Sequence, residues 1–277
     1  MSQDTRITAS MCSHSPRIQL LKKSVTSIIN QVDRLNIYLN DIDIIPSFLH
    51  HPNVHVVLSK DTAGDIGSNG KFFWAEETIG YQLIIDDDII YPPDYAQRII
   101  AKINEYDRCA AICVFGTIIA PHAPGYDAAF TLNMTKGFTQ DVQVHLPGNG
   151  TLGFHSDTMQ PSMTIFENPN MDDVYLGKFC RKHGIPVYAM QREPLWLRPA
   201  GYRNDHCTLW KTHRKQASAL IADEAPWPAL PHYRVRKIPP SLFFRIIDKS
   251  HLYFEYCRYA SLGLRKRMSY RKVSIDA

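Results

Sequence analysis

Apolar residues in the first half of the chain fall into short runs separated by segments with helical spacing. The runs typical of buried strands cover residues 6–11, 35–39, 54–58, 81–85 and 110–115. Residues 16–31 and 94–106 repeat their apolar positions at helical spacing. Strands that alternate with helices predict an α/β fold in which a mostly parallel sheet is flanked by helices and the crossovers are right-handed.

The second half of the chain is less regular. We expect strands at residues 118–120 and 142–145 to pair across a long loop. A helix is expected from residue 170 to about 183, because a glycine at position 184 suits the residue that follows a helix. A further strand at 185–190 and loops over 196–215 complete the prediction.

Three consecutive carboxylates, Asp86, Asp87 and Asp88, follow the strand at 81–85. Like charges held together are costly, so a cation is expected among them. Mg²⁺ and Mn²⁺ prefer carboxylate oxygens and leave coordination sites open for phosphate. If the strand stays extended, Asp86 and Asp88 point to one side and Asp87 to the other. A solvated acidic turn is the alternative interpretation.

A glycine-rich loop runs from Gly64 to Lys71, and we expect a short helix to follow over 71–79. The loop lacks the spacing of a Walker phosphate loop, because Asp65 stands where glycine is required and Phe72 where serine or threonine is required. Its backbone N–H groups and Lys71 can still approach a nucleotide. A plain surface loop is the other interpretation.

Asp172 and Asp173 lie in the first turn of the helix expected from residue 170. One explanation for the acidic pair is that negative charges at a helix N-terminus stabilise the helix by interacting with its dipole. The other is that one carboxylate accepts a proton from an acceptor hydroxyl brought close by the glycine-rich segment 148–153. His206 and His213 lie in the loop after the last strand, where either can supply a neutral nitrogen ligand to a metal.

Residues 5–215 together resemble the nucleotide-sugar-dependent glycosyltransferases with the GT-A fold, near the broad family 2 group. The resemblance rests on the first strand and helix at 7–30, the loop Gly64–Lys71, Asp86-Asp87-Asp88 as a DxD motif, the loop Gly148–Gly153, and Met171-Asp172-Asp173 in place of the family's xED motif. This chain has Asp172 where glutamate is common, which leaves the choice of base between Asp172 and Asp173 open.

The resemblance implies a metal-dependent, inverting transfer of a sugar from a UDP-sugar to a hydroxyl of a growing glycan or lipid-linked glycan. Mn²⁺ or Mg²⁺ would be held by Asp88 and Asp86, with His206 or His213 as a further ligand, and Asp173 or Asp172 would act as base. The nucleotide side would include Asp87 and Lys71. Asp41 and Asp61, at strand ends, would accept hydrogen bonds from uracil or ribose.

The chain of 277 residues with 44% hydrophobic and 21% charged residues is that of a globular protein. It has six cysteines without paired spacing, and its first residues lack the pattern of a signal peptide. These features favour a reducing cytoplasm.

The charge is unevenly spread, because the region from Arg234 onward has eleven Lys/Arg against three Asp/Glu while the whole chain has a net charge of +4. We therefore divide the chain into a transferase domain at 1–215 and a helical, basic extension at 216–277. The extension is expected either to pack on the domain or to bind an anionic membrane surface as a peripheral helix. Nucleic acid is not an expected partner, since no binding motif accompanies the charge.

Two other functional classes remain open. A nucleotidyltransferase uses the same aspartate–metal chemistry, although the segment from Ile7 to Arg17 lacks the glycines typical of that class. A non-catalytic glycan-binding module with a degenerate transferase fold is the second, and the presence of Asp86, Asp88 and Asp173 argues against it.

Overall fold

The structure is a computed structural model that describes residues 3–62, 64–126, 129–201, 209–231 and 237–238. The strands of the main sheet are β1 (Ile7–His14), β2 (Arg34–Asn40), β3 (Val54–Leu58), β4 (Tyr81–Ile85), β6 (Ala111–Cys113), β10 (Val142–Val144), β12 (Thr151–His155) and β13 (Val187–Ala189). The helices are α1 (Ile18–Ile28), α2 (Tyr95–Glu105), α3 (Asp172–Lys182) and α4 (Leu209–Asp223). Shorter strands are β5 (Ile89–Ile90), β7 (Gly116–Ile119), β8 (Ala129–Leu132), β9 (Gly137–Phe138), β11 (Leu146–Pro147), β14 (Arg198–Pro199) and β15 (Lys237–Ile238).

The main sheet has eight strands in the order β10-β13-β6-β12-β4-β1-β2-β3. Strands β1, β2, β3 and β4 are parallel neighbours, whereas β12 runs antiparallel between β4 and β6. The chain proceeds from β1 outward to β3 and then returns to the other side of β1 as β4. This reversal makes the carboxyl ends of β1 and β4 a switch point, where ligands bind in open α/β sheets.

Helices cover both faces of the sheet and bury two apolar clusters. On one face, Leu21 and Val25 of α1 and Ile99 of α2 pack with Leu83 of β4. On the other face, Val174 of α3 and Ile221 of α4 belong to the second cluster. The predicted α/β class, with a mostly parallel sheet flanked by helices, is therefore confirmed.

The strands and long helices of the first half follow the sequence prediction, but the short helix and several later elements differ. The short helix lies at Gly67–Phe72 as a 3₁₀ helix and not at 71–79. Strand β10 pairs with β13, while β7 pairs with β11 and β8, so the expected pairing of 118–120 with 142–145 is wrong. Helix α4 occupies part of the region expected to be loop.

The turn-rich segment 148–153 contains an unpredicted feature, the start of the central strand β12. All five residues of β12 are buried, but the strand itself contains Gly153 and directly follows the glycines at 148 and 150, which favour a turn.

The predicted division at residue 215 falls within α4, and Met1–Ile238 forms one compact unit. The second unit, Pro239–Ala277, and with it the predicted basic helix, lies outside the described residues. None of the helices in the described ranges combines the length and the apolar character that crossing a bilayer requires.

Candidate active site

A cavity of about 740 Å³ opens at the carboxyl ends of β1 and β4. Its lining contains seven carboxylates, from Asp41, Asp65, Asp86, Asp87, Asp88, Asp172 and Asp173. The Lys and Arg residues among the described lining side chains are Arg17 and Lys71. This excess of negative charge in one concave site favours the binding of a cation.

The first carboxylate, Asp86, is held by the turn that follows β4. Its main-chain N–H donates to the hydroxyl of Tyr91 at 2.8 Å, and its carbonyl accepts from Ser24 Oγ at 2.8 Å. The Tyr91 hydroxyl also donates to the carbonyl of Gly150 at 2.7 Å, which ties this turn to the entry of β12. Tyr91 is buried, so its hydroxyl holds the main chain of the acidic turn in a fixed position.

Asp87 and Asp88 share one guanidinium group. Arg17 Nη2 lies 2.6 Å from an oxygen of each carboxylate. Asp87 is buried and also accepts from Ser13 Oγ at 2.5 Å, whereas the Asp88 side chain is 41% exposed. Burial raises the pKa of Asp87 to about 7, although Arg17 acts in the opposite direction. Asp87 is thus a buried carboxylate that holds Arg17 and Ser13, whereas the more exposed Asp88 carboxylate faces the cavity.

The expected alternation, with Asp86 and Asp88 on one side and Asp87 on the other, is not observed. Strand β4 ends at Ile85, and the chain turns over the three aspartates instead of remaining extended. Asp87 and Asp88 both reach Arg17, while Asp86 reaches Lys71.

Lys71 joins the acidic turn to α3. Its ammonium group lies 2.7 Å from Asp86 Oδ1 and 3.3 Å from Asp172 Oδ2, and the side chain is only 5% exposed. Burial opposes the charge on Lys71, but Asp172 and Asp86 together hold its pKa well above the ordinary value. Lys71 therefore stays charged.

The glycine-rich loop brings Lys71 and Ser68 to α3 because it packs tightly against Asn170. Gly67 has φ +60°, and a Cβ there would lie 2.3 Å from Asn170 Oδ1. The same Asn170 oxygen accepts from the Ser68 N–H at 2.9 Å. The loop is therefore a structural bridge between β3 and α3 as well as part of the cavity wall.

The two acids of α3 have different surroundings. Asp172 accepts hydrogen bonds from Ser68 Oγ and from Asn149 Nδ2, the latter at 2.9 Å. Burial opposes its ionisation, but Lys71 and these donors keep the pKa of Asp172 below its usual value. Asp173 accepts from the Tyr126 hydroxyl, and burial followed by the charge of Asp172 raises its pKa to about 6. Asp172 therefore stays ionised as the ion-pair partner of Lys71. Asp173 is a carboxylate whose pKa suits proton exchange near neutral pH.

The remaining predicted residues are distributed as follows. Asp41 lines the cavity and accepts from the Ser15 N–H at 3.0 Å. Asp61 is exposed on a 3₁₀ turn, outside the cavity lining. His213 lies on α4 and not in a loop, with Nε2 3.3 Å from Asn170 Nδ2, and it is not among the lining residues. His206 lies outside the described residues.

Two lining residues with a clear contact to the acids, Arg17 and Tyr126, were missed from the sequence. Arg17 follows the carboxyl end of β1, so the rule that ligands bind at strand ends would have indicated it. Tyr126 lies in an irregular loop and carries no sequence signal. Cys12 also lines the cavity, but burial raises the pKa of its thiol to about 12, which excludes a thiolate nucleophile near neutral pH.

The cavity suits a divalent metal held by two carboxylates. Asp86 and Asp88 have side chains that are 34% and 41% exposed, and a Mg²⁺ site typically combines one or two carboxylates with substrate phosphates and water. In the part of the chain that the structure describes, three possible ligands converge only at Asp4, His155 and Asp157. These three residues lie outside the cavity lining, and Arg108 pairs with both of their carboxylates.

No protein-family model matches the chain, and no curated protein matches it. Among solved structures, the chain is similar to GalNAc-T7 crystallised with UDP, GalNAc and Mn²⁺, at 9% identity and a TM-score of 0.45 over 68% of this chain. The match covers 43% of that structure, so the chain spans less than half of its length. It is also similar to a mycobacterial protein at 12% identity and a TM-score of 0.47, over 86% of this chain and 85% of the other. Likenesses at this level do not assign a function.

Proposed function

We propose that this protein is a metal-dependent glycosyltransferase of the GT-A type that transfers a sugar from a nucleotide-sugar to a hydroxyl group. The observation that carries the proposal is that the acidic turn at 86–88 and Asp173 face one cavity. The acidic turn offers carboxylates for a metal that would bind the diphosphate, and Asp173 offers a carboxylate whose pKa is raised to about 6.

On the donor side, Asp86 and Asp88 would hold Mn²⁺ or Mg²⁺. The metal would neutralise the charge that develops on the leaving diphosphate. Arg17 pairs with both Asp87 and Asp88, and Lys71 pairs with Asp86. Asp41 lines the same cavity and would accept a hydrogen bond from ribose or uracil. The proposal also includes a hydrogen bond from the nucleotide to Asp61 and a further metal ligand from His206 or His213.

On the acceptor side, Asp173 would accept the proton of the attacking hydroxyl. The acceptor oxygen then forms a bond to the anomeric carbon while the bond from that carbon to the diphosphate oxygen breaks. Attack from the face opposite to the diphosphate inverts the configuration. Asp172 is less suited to this role because its oxygens already accept from Lys71, Ser68 and Asn149, and these contacts lower its pKa, which makes it a weaker proton acceptor.

The finer assignments extend this proposal. UDP is the expected nucleotide, a hexose the expected sugar, and a growing surface glycan or lipid-linked glycan the expected acceptor. A cytoplasmic enzyme that docks on the membrane through the basic region after Arg234 would meet such an acceptor. Nucleic acid is not an expected partner.

The proposal is tested with purified protein, a panel of nucleotide-sugars and Mn²⁺. We expect a UDP-sugar to raise the melting temperature only in the presence of the metal, and slow release of UDP in the absence of acceptor. Release of pyrophosphate from a nucleoside triphosphate and a sugar phosphate would instead identify a nucleotidyltransferase. Binding of sugars without metal and without UDP release would identify a glycan-binding module.

A further inference from the structure

Tyr126 makes a direct contact with the proposed base. Its hydroxyl donates a short hydrogen bond to Asp173 Oδ2, and the residue is only 5% exposed. The other carboxylate oxygen, Oδ1, accepts from the Val174 N–H at 2.9 Å. Two donors on different parts of the chain therefore fix the orientation of the Asp173 carboxylate.

The position of Tyr126 is set by helix α4. The Tyr126 main-chain N–H lies 3.3 Å from Ser218 Oγ and donates to it. The preceding residue, Gly125, has φ +143°, and a Cβ there would lie 2.5 Å from the Cβ of Ser218. The loop therefore approaches α4 as closely as a glycine permits, which holds the Tyr126 backbone against the helix.

The electrostatic surroundings of Asp173 oppose its ionisation. Burial and the neighbouring charge of Asp172 raise its pKa, while Tyr126, the Val174 N–H and the more distant Lys71 lower it. A phenol that donates to a carboxylate stabilises the ionised form, which is the form that acts as a base. Tyr126 itself keeps its proton, because burial and the charge of Asp173 raise its pKa well above 10.

We propose that Tyr126 is a positioning residue for the Asp173 base, which it orients through the Oδ2 contact and keeps ionised. This inference depends on the proposed function. During the transfer the acceptor O–H bond breaks and the proton passes to the Asp173 carboxylate, while the Tyr126 O–H bond stays intact. Tyr126 thus contributes a fixed donor and is not a proton shuttle.

Replacement by phenylalanine removes the donor and retains the ring. In Tyr126→Phe the acidic limb of the kcat–pH profile is expected to move upward by about half a pH unit or more, because the ionised carboxylate has lost a hydrogen bond. Below the limb kcat should fall about threefold or more, and at high pH it should approach the wild-type value. The KM for the nucleotide-sugar should stay unchanged. Tyr106→Phe is the matched control, since Tyr106 also donates to a carboxylate, Asp141 at 3.1 Å, outside the cavity.

A second measurement does not depend on turnover. In full-length protein labelled with ¹³C at the aspartate carboxyl carbons, the Asp173 signal is identified by its absence in Asp173→Asn. We expect its titration midpoint, about 6 in the wild type, to rise in Tyr126→Phe and to stay in place in Tyr106→Phe. An unchanged midpoint in Tyr126→Phe would overturn the inference.

The two measurements separate the failure of this inference from the failure of the proposed function. If the wild type transfers a sugar but Tyr126→Phe has an unaltered pH profile and midpoint, Tyr126 does not position the base. If the midpoint moves while the wild type shows no transfer from any nucleotide-sugar, the contact between Tyr126 and Asp173 is upheld and the proposed function is wrong.

Discussion

Lys71 Nζ lies 2.7 Å from Asp86 Oδ1, so a buried ammonium group neutralises the first carboxylate of the acidic turn. The same group lies 3.3 Å from Asp172 at the start of α3. One lysine therefore joins the two acidic groups of the cavity, although Asp86 and Asp172 are 86 residues apart in the sequence. Any change at Lys71 is expected to affect both.

Lys71→Met is expected to reduce the free energy of unfolding by about 3 kcal/mol, because removal of one partner from a buried ion pair leaves the others uncompensated. Urea unfolding at neutral pH measures the change. Lys60→Met is the matched control, since Lys60 pairs with Asp43 at the surface, where both side chains are about half exposed or more. That variant should lose about 0.5 kcal/mol or less. Equal losses in the two variants would contradict the central role of Lys71.

Asp88→Asn is expected to weaken Mn²⁺-dependent UDP binding at least tenfold while the melting temperature stays close to that of the wild type. The side chain is 41% exposed, and Arg17 retains its contact with Asp87. Isothermal titration calorimetry with and without Mn²⁺ measures the effect, with Asp43→Asn as a surface control. Undiminished metal-dependent binding in Asp88→Asn would remove this residue from the proposed metal site.

Asp173→Asn should retain UDP binding and lose kcat by roughly 10²- to 10⁴-fold, the usual range for a general base. In the wild type a base must be ionised to act, so kcat should fall as the pH drops through about 6, the pKa of Asp173. The kcat–pH profile of each variant, measured at saturating donor, checks this assignment.

Asp172→Asn distinguishes the two acids of α3. Since the charge of Asp172 raises the pKa of Asp173, the acidic limb of this variant should move to lower pH, the direction opposite to Tyr126→Phe. The variant should also be less stable, because Lys71 loses a partner. If Asp172→Asn abolishes turnover and Asp173→Asn does not, the base has been assigned to the wrong residue.

Gly150→Ala and Gly153→Ala form a pair with opposite expectations. A Cβ at Gly150 would lie 2.1 Å from Asp86 Oδ2, so this variant should displace the Asp86 carboxylate and weaken Mn²⁺-dependent UDP binding. A Cβ at Gly153 would lie 2.2 Å from Ile99 Cγ2 in the core. That variant should mainly lose stability, by about 1–3 kcal/mol. Calorimetry measures UDP binding and urea unfolding measures stability in both variants. Normal UDP binding by Gly150→Ala would contradict the expectation that its Cβ displaces Asp86.

Truncation after about residue 240 tests the proposed membrane contact of the basic region. The full chain should sediment with anionic vesicles at low salt and much less at high salt, because attraction between Lys/Arg clusters and lipid is screened over about 10 Å at 0.1 M salt. The truncated chain should stay in the supernatant and still bind UDP. Neutral vesicles are the control, and equal, negligible binding of the full chain to both vesicle types would contradict the contact.

The early strands and helices were predictable because their patterns are local. In α1, Leu21, Val25 and Ile28 face the core at the spacing that the sequence displays. The acidic turn was also predictable, since the uniformly buried strand β4 leads directly into it.

Tertiary structure alone decided the position of β12 and the partners of the acids. Strand β12 is short, buried along its whole length and preceded by glycine, so its place between β4 and β6 depends on distant strands. The contacts of Arg17 with Asp87 and of Tyr126 with Asp173 likewise join residues far apart in the chain. The sequence alone identified the candidate carboxylates of the site, because residue types and the ends of strands and helices can be recognised locally. The fold decided that the pKa of Asp173 is raised and that of Asp172 lowered, because each pKa depends on neighbours brought together by folding.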